Sequence, residues 1–351
     1  MSTCRIVGTL ALCLASLVAI PAHADPKRFD ICWTLYAGWM PWGFAQTQGI
    51  VDKWADKYGI EIKITQLNDY IESINQYTVG QFDGCTMTNM DALTVPAAGG
   101  VDSTALIAGS YSNGNDGIVL KGQGKSLADI KDQDVHLVQF SVSHYLLARG
   151  LDSVGLRERD IKVVNTSDAD IVGAFSAPQV QAVVAWNPQL SSIAAQSEAS
   201  RVFDSSQVPG EIIDLLVVNT ATLKANPELG KALTGAWYEV MALMQAQDAN
   251  ALGAMAKDAG TTLADFQSQL KTTALMYTAE DALAFVSSPK LSQTMRHVAD
   301  FSFDKGLLGE GARSADAIGV ELADGAVNGD PQNIKLRFDA TYLRQAVNGQ
   351  L

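Results

Sequence analysis

The chain has 351 residues, 47% of them hydrophobic and 18% charged, and a formal net charge of −13. That length is more than one hydrophobic core usually serves, so two lobes are expected. The acidity repels phosphate backbones and excludes nucleic acid as a partner, and beyond the N-terminal region no apolar run is long enough to span a bilayer.

The first 24 residues read as a secretion leader. Arg5 supplies a positive start, Ile6 to Ile20 form a short apolar stretch, and Ala22-His23-Ala24 places small residues at the −3 and −1 positions of a cleavage site. Cleavage after Ala24 would export a chain beginning at Asp25. The net charge would then move from −13 to −14, because Arg5 leaves and positions 1–24 hold no Asp or Glu. An uncleaved anchor is the alternative. A lipoprotein site at Cys13 is a weaker one, because Leu12 before it is bulky for that processing.

Past the leader the pattern is βαβ. Phe29–Leu35 is apolar and β-prone, as a first strand would be. Thr47–Tyr58 spaces Ile50, Val51, Trp54 and Tyr58 as a helix does, and Gly59 stops it. Glu61–Gln66 alternates like a strand, Asp69–Val79 reads as a helix with Tyr70, Ile71, Ile74 and Tyr77 inward, and Gly84–Thr88 is a short third strand. Ala105–Ala108 and Gly117–Leu120 are strand-like and run into the flexible stretch Lys121–Lys125. Then follow a strand at Val135–Gln139, a helix at Val142–Gly150, a strand at Ile161–Asn165, a helix at Asp168–Ser176 and a strand at Ala182–Trp186. After the Pro209-Gly210 turn, Ile212–Asn219 is a buried strand. The rest is mostly helical: Pro227–Ala246, Ala249–Ala259, Thr262–Gln269, Ala279–Ser287 and Pro289–Lys305.

Strands alternating with helices imply an α/β fold of mainly parallel sheets flanked by helices. With crossings at Lys121–Lys125 and just before Ile212, residues 25–120 and 212–351 make a discontinuous lobe 1 and residues 121–211 make lobe 2. Two such lobes leave a cleft at the carboxyl ends of their strands, where open α/β sheets hold ligands. Such lobes commonly close by hinge bending. Cys32 and Cys85 each sit in an apolar, strand-like segment and read as buried small hydrophobes; a disulfide is compatible but not required. His136, His144 and His297 have no ligand spacing to a Cys or to one another, so neither a metal nor a cofactor is expected.

Several local words, in this order, resemble the nitrate/sulfonate/taurine class of periplasmic solute-binding proteins, over essentially the whole chain past the leader. They are Trp39-Met-Pro-Trp42, Gly80-Gln-Phe-Asp-Gly84, Ser141-Val-Ser143, Ala185-Trp-Asn-Pro188 and Ile212-Ile-Asp-Leu215. Tyr111 to Val119 looks like the subgroup whose transport genes accompany urea carboxylase-type enzymes and whose relatives handle guanidine. The resemblance implies a two-lobed, type II-like periplasmic-binding-protein fold. It also implies a monomer in the periplasm that hands a small solute to the permease subunits of an ABC importer.

Charge sharpens the choice of solute. Sulfonate and nitrate sites want Arg, Lys or clustered N–H donors. Here the expected cleft instead brings Asp91, Asp116 and Asp214, with Trp39, Trp42 and Trp186, a set suited to a planar cation. A guanidinium would pair with such carboxylates; urea is planar and donor-rich but neutral, so unpaired buried carboxylates beside it would be costly. Thr88 and Asn89 either contact ligand or cap a helix, and Asp116 either contacts ligand or organises a turn with Gly117. Asp214, flanked by Ile212, Ile213, Leu215 and Leu216, needs a partner, either a ligand or an Arg. Ser141 and Ser143 open a helix whose free N–H groups favour an acceptor, a feature that leans towards urea or an anion. Asn187 completes the set beside Trp186.

No G-x-S-x-G elbow is present, and Ser143-His144 are neighbours that a helix points apart, so no enzyme is expected. The other readings are a sulfonate, taurine or nitrate binder, a pyrimidine synthase of thiamine biosynthesis, and a lobe that presents ligand to a membrane sensor. The pyrimidine synthases share the fold but are cytosolic and carry a cysteine-rich motif.

Overall fold

Two mixed sheets, each flanked by helices, form the architecture. The computed structural model describes residues 27–351, so the expected leader and its cleavage after Ala24 lie outside the described residues. The strands are β1 (Lys27–Thr34), β2 (Ile60–Leu67), β3 (Gly84–Thr88), β4 (Ser103–Ser112), β5 (Asp116–Lys121), β6 (Asp134–Leu137) and β7 (Lys162–Asn165). They continue with β8 (Ala182–Trp186), β9 (Ala199–Asp204), β10 (Ile213–Asn219), β11 (Thr273–Leu275), β12 (Gly319–Glu321), β13 (Val327–Asn328) and β14 (Ile334–Phe338).

The nine-stranded sheet runs β13-β12-β14-β4-β10-β3-β1-β2, with β11 on β4; the five-stranded sheet runs β7-β6-β8-β5-β9. In β2, Ile60, Ile62 and Ile64 are buried and alternate with exposed Glu61 and Lys63, as expected of a strand with one solvated face. β3 and β8 are buried throughout, as central strands covered on both faces should be. The sheets are less parallel than expected. β10 runs antiparallel between β3 and β4, and β5 runs antiparallel between β8 and β9, because each enters its sheet from the other one.

The first crossing is earlier than the sequence suggests. Strand β5 pairs with β8 and β9, so Gly117–Leu120 belongs to the five-stranded sheet. The chain leaves β4 and enters β5 through Asn113–Asn115 rather than Lys121–Lys125. Ser205 Oγ pins this passage by accepting the Gly114 N–H at 2.8 Å and bonding Ser112 Oγ at 2.6 Å. The second crossing lies just before β10, where the chain returns to the nine-stranded sheet. Asn89 braces it, donating through Nδ2 to the Glu211 carbonyl at 3.1 Å and accepting the Ile213 N–H at Oδ1 at 2.9 Å.

Cys32 and Cys85 are fully buried but are not free thiols. They face one another on the parallel neighbours β1 and β3 and form a disulfide, with Cα atoms 4.4 Å apart.

The stretch Trp39 to Trp42 is not a loop either. Pro41 lies in the first turn of a helix, Met40–Thr47, where a missing N–H costs nothing. Gly43 leaves room for the Trp33 ring, which a Cβ there would meet at 2.5 Å. No helix among the described residues is long and apolar enough to cross a membrane.

Candidate ligand site

A buried cavity lies between the two sheets, at the ends of β1, β3 and β8 and the starts of β5 and β10. Its lining is Tyr36, Trp39, Tyr70, Thr88, Asp116 and Asp214, together with Val142, Trp186 and Ile212. Its volume is about 10 Å3, which is on the scale of a single ordered water. The nine-stranded sheet supplies Asp214 at the start of β10; the five-stranded sheet supplies Asp116 at the start of β5. Each is only 2% exposed.

Four aromatic side chains build one wall. Trp39 stacks on Tyr70 with ring centres 5.8 Å apart, and Tyr70 meets Trp186 edge to face at 5.4 Å. Tyr36 meets Trp39 edge to face at 4.9 Å. The turn that places Tyr36 and Trp39 needs Gly38, since a Cβ there would lie 2.6 Å from the Tyr36 ring and 3.0 Å from Ser110 Oγ.

Behind the aromatic wall are hydroxyls that orient the carboxylates. Asp214 Oδ2 accepts from Tyr36 Oη at 2.9 Å and from Ser110 Oγ at 2.5 Å. Asp91 Oδ2 accepts from Tyr70 Oη at 2.6 Å and from Thr88 Oγ1 at 2.7 Å, while the Thr88 N–H donates to Tyr70 Oη at 2.9 Å. Trp39 Nε1 and Asp91 Oδ1 are buried with no hydrogen-bond partner.

Burial without a cation raises every carboxylate here. Asp214 is pushed up to about 8 by burial, with Asp116 adding to the rise and Ser110 and Tyr36 opposing it. Asp116 is pushed up to about 7 by burial, opposed by Ser112 and helped by Asp91. Asp91 rises to about 6 by burial, against the bonds from Tyr70 and Thr88 and the facing Val142 N–H. No Lys, Arg or His is among the lining residues.

Of the expected site residues, Trp39, Thr88, Asp116, Trp186 and Asp214 meet in this cavity. Asp91 stands directly behind it, holding Tyr70 and Thr88. The others do other work. Trp42 packs on Trp237 at 5.0 Å in the core, on the far side of its helix. Asn89 braces the second crossing, as above. Ser141 caps the helix Val142–Ser153, accepting from the Ser143 N–H and donating to the Val138 carbonyl. Ser143 Oγ is buried without a partner, and Asn187 Oδ1 accepts from Ser191 N–H and Oγ. The N–H at the start of the Val142–Ser153 helix, expected to favour an acceptor, faces the protein's own Asp91.

Tyr36, Tyr70, Val142 and Ile212 escaped the sequence reading. The signal for the tyrosines was position alone, because each follows the carboxyl end of a strand by two or three residues. Tyr70→Phe is expected to cost about 2 kcal/mol of folding stability in urea unfolding, because it removes a hydrogen bond to a buried, charge-bearing partner.

The NMT1/THI5-like family model matches residues 52–251, more than half the chain. The chain belongs to that family. The alkanesulfonate-binding protein SsuA of Xanthomonas axonopodis pv. citri, bound to MOPS, superposes with a TM-score of 0.68 at 18% identity, over 84% of this chain and 99% of that one. The periplasmic aliphatic sulphonate-binding protein SsuA of Escherichia coli gives 0.66 at 20% identity, over 81% and 94%. These likenesses establish a periplasmic-binding-protein fold. A binding protein of Brucella abortus is 26% identical over 102 residues, so the match spans 29% of this chain and 31% of that relative.

Proposed function

We propose that the protein is the exported substrate-binding component of an ABC-type importer, and that it captures guanidinium and delivers it unaltered to the permease. One observation carries the ligand: Asp116 and Asp214, one from each sheet, line a small aromatic-walled cavity that has no lining cation. Guanidinium donates N–H groups in one plane to carboxylates, and its faces stack on aromatic rings. Both named sulfonate-binding neighbours support the transport class, and the buried carboxylates argue against carrying their ligand over.

The same cavity supports the reading that no chemistry occurs. His144, the histidine closest in sequence to a lining residue, is pushed down to about 4 by burial, with Lys305 adding to the shift; its Nε2 lies 3.1 Å from Glu158 Oε2. It does not line the cavity. Urea is the second reading, favoured by the unpartnered Trp39 Nε1, to which a carbonyl oxygen could accept a bond.

Isothermal titration against guanidinium, urea, taurine, an alkanesulfonate and nitrate tests the proposal. Guanidinium is expected to bind, and the two sulfonates and nitrate are not. Binding of taurine or nitrate with none of guanidinium would overturn the ligand assignment.

A further inference from the structure

We propose that the site exchanges a proton for its cation: the empty closed cavity keeps a proton on the carboxylates of Asp116 and Asp214, and guanidinium displaces it to solvent. The inference rests on the guanidinium reading and adds how the site balances its charge.

The argument starts from where the two carboxylates come from. Asp116 enters from the five-stranded sheet and Asp214 from the nine-stranded one, so closing the cleft brings two like charges into one dry cavity. Two buried carboxylates that line one small cavity cannot both ionise cheaply in a low dielectric. The groups around them offer no positive charge. From the stretch after β1 comes Tyr36, from β3 Thr88, from β4 Ser110 and Ser112, from the helix Tyr70–Thr78 its first residue, and from β8 Trp186. Asp91, behind Thr88, adds a third acid. Arg149, near the second crossing, is committed to Glu211 at 2.8 Å.

Hydroxyls from Tyr36 and Ser110 satisfy only Oδ2 of Asp214, and among the described residues no cation pairs with either acid. A closed cleft therefore needs one positive charge, and a proton or the guest can supply it. On binding, a carboxyl O–H bond breaks, its proton goes to the buffer, and the carboxylate pairs with guanidinium, which itself stays charged across the accessible pH range. The raised protonation of both acids described above agrees with this.

The test is isothermal titration of the full chain with guanidinium chloride at several pH values from 6 to 9, in two buffers of different ionisation enthalpy. Release of about one proton per guanidinium is expected near pH 6.5, with Kd falling about tenfold per pH unit below 7 and levelling above 8. Asp116→Asn and Asp214→Asn should each reduce that slope. A Kd independent of pH with no proton release would overturn the exchange and leave the guanidinium reading standing. No binding of guanidinium at any pH would overturn both.

A thermal series on the empty protein gives a second readout. Both acids hold protons more tightly in the folded chain than at the ordinary 3.8, so folding takes up protons. The contribution these two acids make to stability is then full below about pH 4 and is lost as pH rises towards 8, unless guanidinium is present. Without guanidinium, a melting temperature that does not fall from pH 6 to 8.5 relative to that of the Asp116→Asn, Asp214→Asn double variant would contradict the exchange.

Discussion

Asp214→Asn is expected to weaken guanidinium binding by at least about 100-fold and to make the empty protein more stable above pH 8. Removing one partner of a buried, hydrogen-bonded charge pair costs about 3 kcal/mol, and each 1.4 kcal/mol is tenfold in affinity. The amide keeps the shape of the acid, and its oxygen can still accept from Tyr36 Oη and Ser110 Oγ, so the cavity should keep its form. What it loses is the charge that the guest needs. The opposite sign on stability follows from the same residue. Above about pH 8 the native Asp214 is ionised in a site that burial disfavours, and Asn carries no such penalty. Titration calorimetry and thermal unfolding at pH 8.5 on one preparation give both signs. A variant that loses stability along with binding would show Asp214 to be a structural residue, and the ligand assignment would lose its main support. Asp134→Asn, at an exposed position on β6 paired with Lys162 of β7, serves as the control that should move neither quantity.

Asp214 was legible because an acid between Ile212-Ile213 and Leu215-Leu216 contradicts its surroundings. Asp116 and Trp186 were legible because they sit at strand ends, on opposite sides of one register pair, Asp116↔Trp186. Trp42 misled because Pro41 and Gly43 read as loop formers. Both have helical explanations that only packing reveals: a first-turn proline, and a glycine under the Trp33 ring. Tyr36 and Tyr70 were passed over because a tyrosine beside a strand looks like core. Their hydroxyls turn out to hold Asp214 and Asp91 across long sequence separations, and no local pattern encodes that. The lobe of β5 was missed in a similar way. β5 sits beside β8 and β9, which lie more than 60 residues further on, so its lobe is decided by pairing and not by the glycine-rich stretch after it. Strands β9 and β11–β13 are short or polar, too weak in alternation to stand out, whereas Ile334–Phe338 alternates as a strand should and was passed over among the helices before it.

Replacing both Cys32 and Cys85 by Ala is expected to lower folding stability by about 4 kcal/mol. The disulfide closes a loop with a sequence separation of 53. In the chain-entropy account, the cost of closing a loop of that size in the unfolded chain is about 4 kcal/mol. The effect on binding should be much smaller. The strands it joins are already parallel neighbours, with Ile31↔Gly84 beside the Cys32↔Cys85 pair, so the ladder itself keeps Tyr36 and Thr88 at the cavity. The bond thus acts on the unfolded state, and the hydroxyl network acts on the site. Urea unfolding of the double variant measures the first, and guanidinium titration of the same sample measures the second. A stability loss under about 1 kcal/mol would mean that the two sulfurs are not bonded in the folded chain. A large loss of affinity with little loss of stability would move the disulfide from scaffold to binding site, because it would show that the β1–β3 register at the cavity depends on the bond.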